Sequence, residues 1–155
     1  MPAPVGIVTS SDAAGAPVGL AMSALMPVCL EPPAMAICVN RSASAHASLV
    51  ASGQFCINLL HTALDGHMRP FADPAARDTR FTQADWQQHP ATGMWYIAGA
   101  AANLFCTISE QVAHGTHDLI IGSVIDLFST DAEDILGWGN GALGRLQPLT
   151  GTPSA

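Results

Sequence analysis

Residues 101–112 and 117–128 are two long runs of strand-favouring residues, and only Ala113-His-Gly-Thr116 stands between them. A short link containing glycine joins such runs as an antiparallel hairpin, which is therefore the dominant element to expect. Residues 5–11 predict a further strand, and a turn signal over 12–17 followed by a second run over 18–25 predicts another hairpin. Glu31, Pro32 and Pro33 then break the chain; residues 35–39 predict a short buried strand ending at Asn40 and Arg41, and residues 55–60 predict one more. Residues 44–52 carry small, helix-compatible side chains with Leu49 and Val50 and stop at Gly53, the pattern of a short helix. Polar, proline-bearing and aromatic residues mix over 62–93, where Arg69, Arg77 and Arg80 cluster; a helix over 64–71 and then an irregular excursion are expected. The glycine-rich stretch 136–146 is expected as an edge strand or loop, and residues 150–155 as a frayed tail. Many short strands with two helical interruptions are best accommodated by a closed or nearly closed antiparallel barrel, because closure removes exposed edges.

Only 11% of the 155 residues are charged, against about 25% in a typical soluble domain. The five basic residues are all arginine, and the formal net charge is −7. Nucleic-acid binding wants a basic stripe, so no nucleic-acid partner is expected. The 49% hydrophobic content excludes intrinsic disorder. A single domain over 1–149 fits the length. Charge this sparse points to an oligomer or a large apolar ligand site. Residues 1–6 lack a basic n-region and a long apolar stretch, so no signal peptide is expected. The longest apolar run, 18–30, is broken by Gly19, Ser23 and Pro27, so no membrane span is expected. Cys29, Cys38, Cys56 and Cys106 show no C-x-x-C spacing and are expected as reduced thiols in a cytoplasmic protein, with no metal site.

Familiar catalytic strings are missing. The tail glycines fall as G-x-G-x-G without the strand, helix and acidic residue that a dinucleotide fingerprint needs. A Walker loop requires a lysine. No H-E-x-x-H, G-x-S-x-G or S-x-x-K string occurs. His114 and His117, the nearest histidine pair of this stretch, would point to opposite faces of one strand.

Three segments in order carry a resemblance. The first runs from Gly19 through Ala21-Met-Ser-Ala24 and Pro27-Val-Cys29 into Asn40-Arg-Ser-Ala-Ser-Ala-His46. The second is Gly53-Gln-Phe-Cys-Ile-Asn-Leu-Leu60, followed by Phe71, Arg80-Phe81 and Trp86. The third is Gly115-Thr-His-Asp-Leu-Ile-Ile-Gly-Ser-Val124. Together they resemble the flavin reductase-like family with the FMN-binding split barrel, and specifically the short reductases that serve two-component flavin monooxygenases. The resemblance covers residues 5–146. It implies a mainly β fold: a split, Greek-key antiparallel barrel with short flanking helices, assembled as a homodimer.

It also implies roles for residues whose chemistry suits them. Ala21, Met22, Ser23 and Ala24, with Pro27, Val28 and Cys29, would line the isoalloxazine and ribityl chain, although small residues here also suit a barrel interior. Asn40, Arg41, Ser42, Ser44, Ala45 and His46 would hold the flavin phosphate through backbone N–H groups and hydroxyls, with Arg41 as the nearest fixed charge. Ser44 is equally a helix N-cap, and His46 either nears the adenylate end of FAD or faces solvent. Arg80 and Phe81 would reach the flavin from the excursion. His117 would bind and position the nicotinamide, or simply open a strand after a turn.

The activity so implied is NAD(P)H-dependent reduction of FMN or FAD, leaning slightly to NADH because, without lysine, a 2′-phosphate would have to be met by arginine. The reduced flavin would pass to a separate oxygenase component. Two other functions stay open from sequence: a flavin-binding carrier or storage protein without turnover, and a reductase of another acceptor, such as a corrinoid or ferric chelate, through bound flavin.

Overall fold

The computed structural model describes residues 1–147; the tail expected over 150–155 lies outside the described residues. In chain order the strands are β1 (Ala3–Pro4), β2 (Gly6–Ser11), β3 (Pro17–Met22), β4 (Leu25–Leu30), β5 (Pro33–Asn40) and β6 (Gln54–Leu59). They continue as β7 (Trp86–Gln88), β8 (Trp95–Ile97), β9 (Ala102–His114), β10 (His117–Ser129), β11 (Ile135–Gly139) and β12 (Ala142–Leu146). Helix α1 spans His46–Ser52 and helix α2 Arg69–Ala72.

The long hairpin forms as expected. β9 pairs β10 from His114↔His117 to Ala102↔Ser129, and Gly115 supplies the positive φ of 55° that the turn requires. Around it a seven-stranded antiparallel sheet assembles in the order β3-β2-β6-β9-β10-β5-β4. The two edge strands of this sheet, β3 and β4, follow one another in the chain with only Ser23 and Ala24 between them. So short a link forces the sheet to curl until its opposite edges come together at that end, where the Cys38 N–H to Ala24 carbonyl bond extends the β4–β5 ladder into the link. The result is a split antiparallel barrel, and it corrects the single strand expected over 18–25: the run ends at Met22 and restarts at Leu25.

Val8, Ile37, Leu49, Phe55, Ile57 and Ile120 fill the barrel, all fully buried. A second cluster, including Ile7, Leu60, Trp86, Ile97 and Leu136, seats the excursion against the barrel's outside. Its helical part differs from the expected helix over 64–71. Thr62–His67 is a 3-10 turn, α2 follows for a single turn, and Pro74–Thr79 is again 3-10. Gly66 and Pro70 explain the fragmentation, the one by its helix cost and the other by its missing N–H.

Where irregular chain was expected, β7 and β8 form a small hairpin. Buried Asn58 fixes it, accepting from Ile97 N–H at 2.8 Å while donating to the Ile7 carbonyl at 2.8 Å. Residues 136–146 form the β11–β12 hairpin, turned by Asn140 and Gly141 at φ 50° and 77°, and β1 completes a three-stranded sheet. Among the described residues, no helix is long and apolar enough to cross a membrane.

Candidate functional site

Strand β3 runs from a polar cavity to two apolar recesses. Near its start, Gly19 lines a cavity of about 210 Å³ together with Ser44, Ala45, Arg77, Asp78, Arg80 and Phe81. Gly19 is required by this geometry: a Cβ there would stand 2.8 Å from the Val8 carbonyl oxygen and 3.3 Å from both Phe71 and Phe81. The two rings meet edge to face at 5.6 Å. They form the wall that brings the excursion against the barrel.

Arg80 is held from behind. Its Nε donates to the Pro70 carbonyl at 2.9 Å, its guanidinium lies 5.1 Å from the Phe71 ring centre, and Trp86 Nε1 donates to its carbonyl at 3.0 Å. Among the described residues neither Arg77 nor Arg80 makes an ion pair. Burial, and then the neighbouring Arg77 charge, push the Arg80 pKa below its ordinary value. Asp78 lines the same cavity, so two guanidinium groups and a serine hydroxyl stand against one carboxylate, and the balance of charge still favours an anion.

Roughly 10 Å along the strand, at about 3.3 Å per residue, the lining turns apolar. Ala21, Met22 and Ser23 border a cleft of about 180 Å³ with Val5, Met68 and Trp138. Ser23 also borders a second cleft of about 270 Å³, with Ala24, Met26, Ala36, Cys38 and Leu119. The Ser23–Ala24 link that closes the barrel therefore stands between two apolar recesses. Leu119 reaches the second recess from β10, and His117 lies two residues before it on the same face. His117 is half-buried, with Nδ1 2.9 Å from Thr116 Oγ1.

The structure thus brings Ala21, Met22, Ser23 and Ala24 to apolar recesses, and Ser44, Ala45, Arg80 and Phe81 to one polar cavity. Other expected residues are placed differently. Pro27, Val28 and Cys29 are exposed on β4 and line none of these cavities. Asn40 Oδ1 accepts from Ser42 N–H at 2.9 Å and from its hydroxyl at 2.8 Å, so both residues shape the loop rather than line the cavity.

Arg41 turns away: Nε donates to Asp118 at 3.1 Å and Nη2 to the Gly115 carbonyl at 2.8 Å. His46 faces neither solvent nor the cavity, its Nε2 lying 2.7 Å from Asp118 Oδ2. Ser44 is not the helix cap; Ala45 holds that position without a side-chain bond, which leaves the Ser44 hydroxyl to the cavity. The cation beside Ser44 is Arg77, which the arginine cluster over 69–80 contained but did not single out. Trp138 is a second addition, an exposed aromatic flanked by Gly137 and Gly139 whose only sequence signal was its setting.

Known proteins share this architecture. The NADH:FAD oxidoreductase SgcE6 of Streptomyces globisporus C-1027, solved with NAD and FAD fragments, superposes with a TM-score of 0.86 at 29% identity, covering 97% of this chain and 88% of that one. Nitrilotriacetate monooxygenase component B from Mycobacterium thermoresistibile superposes with a TM-score of 0.90 at 25% identity, over 100% and 86% of the two chains. Among curated relatives, the FMN reductase (NADH) RutF of Stutzerimonas stutzeri is 34% identical over 134 residues, 86% of this chain and 76% of that protein. The flavin reductase (NADPH) of Lentzea aerocolonigenes is 34% identical over 125 residues, 79% and 71% of the two. Residues 1–147 match the model of the flavin reductase like domain. With the match extending over every described residue, the chain belongs to the flavin reductase-like domain family.

Proposed function

We propose that this chain is an NAD(P)H:flavin oxidoreductase that binds FMN or FAD along β3 and hands the reduced flavin to a separate oxygenase component. The observation that carries it is the order of the cavities on one strand: an anion site with Arg77, Arg80 and Ser44, then apolar recesses at Ala21–Ala24. An isoalloxazine needs an apolar slot, its ribityl chain a short span, and its phosphate a cationic end. The residues present fit all three.

When bound, the flavin supplies the hydride-accepting chemistry, which no side chain provides. The protein's part is to bind and align. Arg77 and Arg80 neutralise the phosphate, and the Ser44 hydroxyl donates to it. Small side chains at Ala21, Ser23 and Ala24 admit a flat ring close to the backbone. His117 and Leu119 stand on β10, and Leu119 borders the recess at Ser23 and Ala24, where a nicotinamide would be held against that ring, so that proximity and orientation lower the barrier. Either nicotinamide nucleotide fits this reading; without lysine, the extra phosphate of NADPH would have to be met by arginine.

Exposed Met26, Val28 and Leu30 on β4, with Val112, Ile125 and Leu127 on the long hairpin, support a homodimer formed across this side of the barrel. Free cysteines at 29, 38, 56 and 106 suit a reducing, cytoplasmic location. Steady-state NADH oxidation tests the activity. Consumption should depend on added FMN or FAD and saturate with it. Tight flavin binding without NADH consumption would instead favour a carrier.

A further inference from the structure

Asp118 is 2% exposed, yet it carries more partners than any other carboxylate among the described residues. Oδ1 accepts from Arg41 Nε at 3.1 Å. Oδ2 lies 2.7 Å from His46 Nε2 and accepts from Gln111 Nε2 at 2.8 Å. Arg41 and His46 flank the loop 42–45, which carries Ser44 and Ala45 into the anion cavity. Both ends of that loop are therefore fastened to opposite oxygens of one buried carboxylate on β10.

The other side of the carboxylate is the β9–β10 turn. Arg41, oriented by Asp118, donates through Nη2 to the Gly115 carbonyl at 2.8 Å and to the His117 carbonyl at 3.4 Å. Its backbone N–H bonds the Thr116 carbonyl at 3.0 Å. One side chain thus grips the turn that presents His117. None of Arg41, His46, Gln111 and Asp118 lines the anion cavity or the two apolar recesses, and a buried charge this well bonded is costly to leave half-satisfied.

We propose that Asp118 is a positioning residue that clasps the anion-binding loop to the turn bearing His117, so that flavin and nicotinamide binding depend on the same carboxylate. The inference rests on the flavin and nicotinamide sites proposed above. Its arms are separable. His46 serves only the loop, whereas Arg41 serves the loop and the turn.

The test compares full-length variants by flavin-fluorescence titration for the FMN dissociation constant and by initial rates for NADH. Asp118→Asn should raise both the FMN dissociation constant and the KM for NADH by roughly tenfold, the scale of losing a charge-assisted hydrogen bond, while kcat at saturation changes far less. His46→Ala should raise the FMN constant alone. Arg41→Lys, which keeps the charge but not the forked geometry, should raise the KM for NADH and supplies the same test if Asp118→Asn fails to fold. Unchanged binding in Asp118→Asn would overturn the clasp. So would a fall in kcat that merely tracks the folded fraction, with dissociation constant and KM intact. Wild-type protein that binds neither FMN nor NADH would instead overturn the underlying flavin assignment.

Discussion

At the scale of single residues, the proposed site has a cationic end at Arg77 and Arg80 and a nicotinamide end at His117. Arg80 reaches the anion cavity because Pro70 and Phe71 hold its guanidinium from behind, and with Arg77 it outnumbers Asp78, the one carboxylate in the lining. Arg80→Ala should therefore weaken FMN by about tenfold or more, as expected for losing a charged hydrogen bond. Riboflavin, which lacks the phosphate, should bind the variant and the wild type alike in the same fluorescence titration. His117→Ala should do the reverse, raising the KM for NADH severalfold while leaving FMN affinity in place. Equal loss of flavin would remove His117 from the nicotinamide. Sequence exposed some of these assignments and hid others. Ser44, Arg80 and Phe81 stand in the resembling segments and arrive at one cavity. Arg41 stands in them too, but its partner Asp118 is 77 residues away, and no local pattern reports a contact at that range.

At the scale of elements, the long hairpin is the part most legible in the chain, because two twelve-residue strand patterns around a glycine leave little other choice. The break at Ser23 and Ala24 was not legible. Ser23 interrupts the apolar run, but no glycine or proline marks a strand end there; the chain passes at that point from one edge of the sheet to the other. The β7–β8 hairpin was equally hidden, since three-residue strands have no period and are fixed by Asn58 from another element. Inside the long hairpin, Gly122 sits at a bulge beneath Phe55. A Cβ there would stand 2.6 Å from Phe55 Cζ and 2.8 Å from Cys106 Cβ. Gly122→Ala should cost about 1–3 kcal/mol by overpacking and lower the melting temperature by several degrees, readable by calorimetry. An unchanged melting temperature would mean that the bulge relaxes freely.

At the scale of the whole molecule, three carboxylates tie distant parts together, and all three are held below the usual carboxylate range. Burial pushes the Asp118 carboxyl up, but bonds from His46 and Gln111 and the Arg41 charge outweigh it. The His89 bond, then the Leu127 N–H, lowers Asp126; the Thr62 hydroxyl chiefly lowers Asp134. Groups with depressed folded pKa values stabilise fully above their unfolded value of about 3.9 and lose that contribution as pH falls through the lower folded values. The melting temperature should therefore fall steeply below about pH 4, and a flat profile from pH 6 to pH 3 would contradict these assignments. The scarcity of charge also takes on meaning at this scale. With 11% charged residues and no lysine, the chain covers an apolar face and recesses with little polarity, and the anion site proposed above rests on two arginines and a serine.

Anaerobic rapid mixing of the FMN-loaded protein with NADH tests the flavin oxidoreductase assignment most directly. The visible absorbance of the oxidised flavin should bleach in a single NADH-dependent phase, slowed in His117→Ala at low NADH and preserved at saturation. Flavin that stays bound and fully coloured after NADH is added would contradict it.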